Sequence, residues 1–333
     1  TYLRLMKEVA IIVPHRALLS SIEDARNSFQ VVNEYFRKQG LKPIFNISLV
    51  GLTKEISIEK GRYSLIVDKT ISEKYSPQLI IIPSLTGDMI TPLSLNINYN
   101  PWLINMYKQG SELASLCLGS FILASTGLLK NQGCSTHWLY ANEFRAFFPG
   151  VQLHPDEIIT DHNGIYTSGG STLYWNLLLH LIEKYAGKET AIWVAKYFAL
   201  DISRNSQAPF AIFNGQKEHS DKEVLNTQEY IEAHFREKLT VDELAHRVNL
   251  GRRTLERRFR NATSNTILEY VQRVKMEASK KGLETGRKTI TEVMYDAGYV
   301  NINAFRKVFK TCTGMSPLEY RRKYTRSSGS TGA

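Results

Sequence analysis

The spacing of apolar residues changes character along the chain. Over the first two hundred residues, short apolar runs alternate with stretches of helical period. EVAIIVP (Glu8–Pro14) and QLIIIP (Gln78–Pro83) predict buried strands, and the alternating PIFNISL (Pro43–Leu49) predicts another. Between them, Ile22–Gln39 places Phe29, Val31, Val32, Tyr35 and Phe36 on one apolar side, with Gly40 as its stop signal. Ile56–Val67 reads as a hairpin or edge strands about Lys60-Gly61, Pro101–Gln109 as a helix, and ELASLC (Glu112–Cys117) as a strand. A helix, LGSFILASTGLL, starts almost without a linker after Cys117, and Gly127 and Gly133 mark turns around a further short strand. Thr136–Ala146 reads as helical, Ile158–Asp161 and Ile165–Ser168 as a hairpin across Asn163-Gly164, and Leu173–Tyr185 and Thr190–Phe198 as closing helices. This alternation predicts an α/β domain, a three-layer sandwich with a mainly parallel sheet.

The period is lost over Asp201–Asp221, which mixes polar residues with Pro209 and Gly215. Beyond it only helical spacing remains. Lys222–Phe235 is followed by VDELAHRV, capped by Thr240 with Glu243 completing a capping box, then by a turn at Asn249–Gly251 and RRTLERRFRNAT. A long helix over Thr266–Gly282 leads to a second copy of the pattern, with Thr289 and Glu292 as cap, Ile290, Val293 and Met294 inside, Gly298 at the turn, and a helix over Asn301–Thr311. Leu318–Tyr324 forms a closing helix. Short helix, tight turn and basic second helix, twice over, predict an all-α domain with two helix-turn-helix units. The expected division is 1–204 for the first domain, 205–222 for a linker, 223–326 for the second domain and 327–333 for a flexible tail.

The charge distribution sharpens this. The chain of 333 residues carries a net charge of +10, and its Arg and Lys residues crowd into 247–288 and 306–326. Leu255 and Phe259 anchor the inner face of the first basic helix, which leaves Arg253, Glu256 and Arg257 outward near its N-terminal half, where base edges are met. Arg252, Arg258 and Arg260 are placed for phosphates. In the second unit Phe305 and Phe309 point inward and Asn303, Arg306, Lys307 and Lys310 outward, with Lys310 placed for a phosphate. Glu256 is suited either to a cytosine amino group or to pairing with Arg252 or Arg260. No apolar run reaches membrane-spanning length, the first residues read as a lead-in to a strand, and three cysteines without a CxxC pair fit a reducing compartment and no cysteine-based zinc site. No GxGxxG or GxxxxGK[ST] motif supports a nucleotide cofactor. A cytoplasmic protein without cofactor or metal is expected.

One junction in the first domain carries chemistry. Cys117 stands between a strand and a helix, where a sharp turn exposes a side chain beside helix N–H groups, and His137 follows a turn downstream. The pair is a candidate nucleophile and base; the alternative is a packed cysteine without reactivity.

From about Glu8 to Ala199 the chain resembles the DJ-1/PfpI, or class I glutamine amidotransferase-like, fold. ELASLCLGSFILASTGLL, STHW (Ser135–Trp138), FPGVQL (Phe148–Leu153) and YTSGGSTLYWNLLLHLIEKYAG (Tyr166–Gly187) carry that resemblance. It implies an elbow cysteine at Cys117 and, as in the regulator branch, a histidine at His137. Enzymatic members hold the cysteine with a carboxylate near the end of the first strand; aligned on Phe29, Ser21 occupies that position here, with Glu23 and Asp24 the neighbouring carboxylates. The implied role is a pocket for a small effector lined by Cys117, Leu118, His137, Ser168 and Gly169, with Cys117 and His137 vestigial rather than catalytic. Asn226 to Tyr324 resembles the AraC/XylS family, most closely in AGYVNINAFRKVFKTCTGMSPLEYRRK (Ala297–Lys323). By that resemblance Arg253, Glu256, Arg257, Asn303, Arg306 and Lys307 read bases, and Met294 stands where a small alanine is usual. The combination resembles the GlxA-type regulators. It implies a non-enzymatic regulator acting on double-stranded promoter DNA, with a homodimer pairing half-sites and RNA polymerase as a further partner. The alternatives are a cysteine enzyme fused to a DNA-binding domain, and a ligand-independent DNA-binding protein with a structural first domain.

Overall fold

The computed structural model describes residues 6–58, 61–201, 206–213, 215–217 and 219–325, and the chain divides into two compact units, 1–207 and 208–333. In the first unit the elements run β1 (Lys7–Ile12), α1 (Leu19–Lys38), β2 (Phe45–Gly51), β3 (Glu55–Ile58), β4 (Tyr63–Ile66), β5 (Lys69–Thr70), β6 (Leu79–Ile82), α2 (Ile90–Asn96), α3 (Tyr99–Lys108) and β7 (Glu112–Ser115). They continue through α4 (Gly119–Ser125), β8 (Gly133–Cys134), α5 (Ala141–Phe147), β9 (Gln152–Leu153), β10 (Ile159–His162), β11 (Ile165–Ser168), α6 (Tyr174–Ala186) and α7 (Lys188–Tyr197).

Seven strands form one sheet in the order β10-β11-β7-β6-β1-β2-β5, parallel except for the β10–β11 hairpin. Neighbouring residues of a strand face opposite sides, yet Val9 to Ile12 and Leu79 to Ile82 are all fully buried, so helices cover both faces. One group is α1, α6 and α7; the other is α2, α3 and α4. The three-layer α/β expectation matches this architecture. Asn33, buried on α1, ties that helix to β2: its Oδ1 accepts from the N–H groups of Ile44 and Phe45 at 3.0 Å, and its Nδ2 donates to Phe45 O at 2.8 Å.

The second unit comprises α8 (Lys222–His234), α9 (Val241–Arg247), α10 (Arg252–Thr263), α11 (Ile267–Glu284), α12 (Ile290–Asp296), α13 (Ile302–Thr313) and α14 (Pro317–Tyr324). The repeat is longer than the pairs read from sequence. Capping boxes at Thr240–Glu243 and Thr289–Glu292 start α9 and α12, and matching boxes at Thr266–Glu269 and Ser316–Glu319 start α11 and α14. Each repeat is therefore a three-helix unit. Its turns correspond as well, with Asn249 and Gly298 left-handed before the basic helices and Ser264 and Gly314 left-handed after them. Leu244, Leu255, Phe259, Ile267 and Tyr270 form one core, and Met276, Leu283, Val293, Met294, Phe305, Phe309 and Tyr320 the other, with α11 contributing to both.

Some elements differ from expectation. The stretch Thr136–Ala146 is broken: a short 3₁₀ turn, Trp138–Tyr140, precedes α5. The seven-residue α2 was unreadable because Pro92 and Asn96 suppress helical propensity, and β5 and β9 are two residues each. The hairpin of β3 and β4 stands where expected, although Lys60 lies outside the described residues, as do the first residues of the lead-in and the tail 327–333. The segment expected as a linker, 205–222, is docked over much of its described length. Gln207 N–H donates to Asp156 O at 3.0 Å in the first unit. In the second unit Phe213 meets Tyr270 edge-on at 5.0 Å, and Lys280, buried beside Glu277, donates to Ala211 O at 2.6 Å.

Candidate functional site

Two places on the chain gather the residues singled out from sequence. On α10, burial of Leu255 and Phe259 fixes the helix rotation. Arg253, Arg257 and Arg260 are thereby exposed, with Glu256 half-buried. On α13, Phe305 and Phe309 are buried and Asn303, Arg306, Lys307 and Lys310 are exposed. The N-cap Asn301 accepts from the N–H groups of Asn303 and Ala304 at 2.9 and 3.0 Å, which orients the first turn. Gly298 is fixed by contact as well as by its φ of +72°: a Cβ there would lie 2.2 Å from Arg236 O.

The four candidate phosphate contacts divide. Arg260 and Lys310 are exposed. Arg252 is held by Asp242 at 3.1 Å and by Glu256 at 3.2 Å, which resolves the alternatives for Glu256 in favour of pairing in this state. Arg258 turns to the N-terminus of α8, where Asp221 accepts from its Nε at 2.8 Å and its Nη2 at 2.6 Å, and Glu223 lies 2.5 Å away. Asp221 is itself the N-cap of α8, and the Arg258 guanidinium holds its carboxyl below the ordinary value. Arg258 is therefore already engaged in tying α8 to α10. Sequence spacing could not show this, because Asp221 lies in the aperiodic stretch.

At the end of β7 the backbone turns sharply. Cys117 has φ of +52°, the left-handed strain of a nucleophile elbow. Gly119 makes the turn possible, since a Cβ there would sit 2.4 Å from Ile82 O and 2.6 Å from Pro83 O. Cys117, Leu118, Ser168 and Gly169 are buried, and His137 is half-buried. Ser168 Oγ accepts from Cys117 N–H at 3.1 Å, which brings these two together. His137 does not join them by a hydrogen bond among the described residues. Its Nδ1 accepts from Leu139 N–H at 3.1 Å, and its ring packs so tightly on Gly170 that a Cβ there would be 2.2 Å from Cδ2. Burial raises the Cys117 pKa, against weaker opposing effects from the Ser84 hydroxyl and the backbone of Ser171 and Leu118; burial likewise lowers that of His137.

The position of the enzymes' carboxylate is also accounted for. Ser21 is fully buried; its Oγ donates to Leu18 O at 2.7 Å and accepts from Ser84 N–H at 3.0 Å. Glu23 pairs with Arg26 at 2.5 Å, and Asp24 accepts from the Tyr174 hydroxyl at 2.6 Å. Sequence reading missed Gln207 beside this elbow. Its side chain is fully buried against Gly169 and Gly170, and nothing in the polar run around it signals that.

An elbow in a parallel α/β unit and a tandem helix-turn-helix unit define the class. Residues 21–184 match the DJ-1/PfpI family and residues 244–323 match a helix-turn-helix domain of AraC type. The chain thus combines a DJ-1/PfpI domain with an AraC-type helix-turn-helix domain. It is 29% identical over 219 residues to the HTH-type transcriptional regulator GbdR of Pseudomonas aeruginosa, a match covering 65% of this chain and 59% of that protein. To the HTH-type transcriptional regulator GlxA of Rhizobium meliloti it is 22% identical over 222 residues, covering 66% and 68%. The match thus spans less than two thirds of GbdR. In fold the chain is similar to a proposed transcriptional regulator protein from Vibrio parahaemolyticus, with a TM-score of 0.51 and 20% identity over 58% of this chain and 98% of that one.

Proposed function

We propose that this protein is a sequence-specific DNA-binding transcriptional regulator controlled by a small metabolite bound in its first unit. The observation that carries the reading is the repeated presentation on α10 and α13: buried Leu255/Phe259 and Phe305/Phe309 behind, exposed polar and basic side chains in front. Arg253, Arg257, Asn303, Arg306 and Lys307 read base edges in the major groove, and Glu256 joins them only where DNA displaces its pairing with Arg252. Arg260 and Lys310 contact phosphates. Arg252 and Arg258 do so only by giving up the carboxylates that hold them. The protein acts in the cytoplasm on promoter DNA, as a homodimer pairing half-sites, with RNA polymerase as a further contact. No described helix is long and apolar enough to cross a membrane.

The elbow is a sensor wall rather than a catalytic centre. A buried thiol with a raised pKa, no bond from His137, and carboxylates committed elsewhere support that reading. The test is selection of bound sequences from random duplex DNA, with Arg257→Ala in parallel. A recurring operator is expected. The variant loses about 1–3 kcal/mol on that operator and relaxes selection at one base pair. Absence of any enriched sequence refutes sequence-specific reading, and an equal loss on every sequence refutes the role of Arg257.

A further inference from the structure

The side chain of Gln207, the last residue of the first unit, is held as a ligand is held. It is fully buried. Its Oε1 accepts from Gly170 N–H at 3.1 Å, and its Nε2 donates to Thr136 O at 2.9 Å, Glu157 O at 3.2 Å and Ser135 Oγ at 3.4 Å. The amide plane lies flat on Gly169, where a Cβ would come 2.9 Å from Cδ. This cage adjoins the elbow. Thr136 Oγ1 donates to Cys117 O at 3.4 Å, Ser168 accepts from Cys117 N–H, and His137 rests on Gly170.

We propose that this cage is a binding site for primary carboxamides, filled by Gln207 in the resting chain and opened when a small ligand's amide takes its place. The donor and acceptor pattern sets the ligand class. One N–H faces a carbonyl oxygen, and two backbone carbonyls and a hydroxyl face an NH₂ group. A carboxylate would set its lone pairs against those carbonyls. An ammonium group would be buried among neutral partners, with no counter-charge among the groups that hold the Gln207 amide. With the side chain displaced, the Gln207 backbone keeps its N–H bond to Asp156 O at 3.0 Å but loses the anchorage of the cage, which loosens the end of the first unit. The proposal rests on the sensor reading above and supplies its ligand chemistry.

The test uses the full chain without DNA, so its outcome is independent of operator recognition. Propionamide is titrated calorimetrically into the wild type and Gln207→Ala, with propionate and N,N-dimethylpropionamide as controls, and amide exchange is followed at Gly170 and Gln207. Gln207→Ala removes the internal competitor, so it binds propionamide at least about tenfold more tightly than wild type, and neither control binds. Gly170 N–H exchanges faster in Gln207→Ala and is protected again by propionamide. In the wild type, propionamide accelerates exchange at the Gln207 N–H. A folded Gln207→Ala that binds propionamide no better than wild type, or binds the dimethyl compound equally, overturns the proposal. If Gln207→Ala does not fold, the wild type decides: unchanged exchange at Gln207 under saturating propionamide overturns it equally.

Discussion

Met294 separates a structural argument from a family pattern. The resemblance to the AraC/XylS family implies a small alanine at this position, which alone suggests that Met294→Ala is harmless or helpful. The structure argues otherwise. Met294 is 2% exposed in the core of the second repeat, among Met276, Leu283, Val293, Phe305, Phe309 and Tyr320. Truncation to alanine removes three buried heavy atoms, worth about 2.4 kcal/mol at roughly 0.8 kcal/mol each. The cavity that persists between the aromatic rings raises the expected loss to about 2.5–4 kcal/mol. All four tryptophans (Trp102, Trp138, Trp175 and Trp193) lie in the first unit, so the two units report separately. In urea, tryptophan fluorescence follows the first unit and far-ultraviolet circular dichroism adds the helices of the second. Met294→Ala should lower the midpoint of the helical transition by about 1–2 M while leaving the tryptophan transition in place. A loss below about 0.5 kcal/mol would refute the packing argument, by showing that the surrounding side chains close the space. A parallel shift of the tryptophan transition would refute the confinement of the effect to the second repeat.

Other predictions test the elbow and the grip on α8. Gly119→Ala forces a Cβ against Ile82 O and Pro83 O, so it should cost several times what a surface Gly→Ala change does, read as a fall in the tryptophan-detected midpoint. Native Cys117 and Cys134 should resist iodoacetamide at pH 8 and react on unfolding, because burial raises both thiols, Cys134 to about 12; peptide mapping that finds Cys117 alkylated first in the native chain would refute the inert elbow. The Asp221 carboxyl is depressed by Arg258, so the pair's stabilisation is present above the ordinary carboxylate value of 3.8 and lost as pH falls below it through the folded-state value. Arg258→Ala should therefore lower stability at pH 7 and flatten the acid limb of the second unit's pH profile. An unchanged acid limb would show that Asp221 is not the group responsible.

Much of the fold was legible because each element signals locally. Val9–Ile12 and Leu79–Ile82 are continuous apolar runs, which only a strand covered on both faces requires. The helices of the second unit declare themselves through Thr-x-x-Glu caps and four-residue anchors such as Leu255/Phe259. The same cap pattern at Thr266 and Ser316 would have revealed the three-helix repeat. The elbow's place was legible too, since Cys117 is followed by Leu118-Gly119 at a strand-to-helix junction, although a packed, unreactive cysteine would read the same.

Tertiary structure alone decided which polar groups are already engaged. Arg258 and Arg260 sit two apart on one helix and read alike, yet Arg258 meets Asp221 while Arg260 stays exposed. His137 stands near the elbow in sequence terms but rests on Gly170, and Asp24 meets Tyr174 far along the chain. Gln207, in an aperiodic polar stretch, fills a cage made by Thr136, Glu157 and Gly170. Periodicity records which face of an element is apolar, and so it fixes elements and their inward sides. Hydrogen bonds and ion pairs join groups distant in sequence, and only the folded chain brings those partners within 3 Å or so of each other.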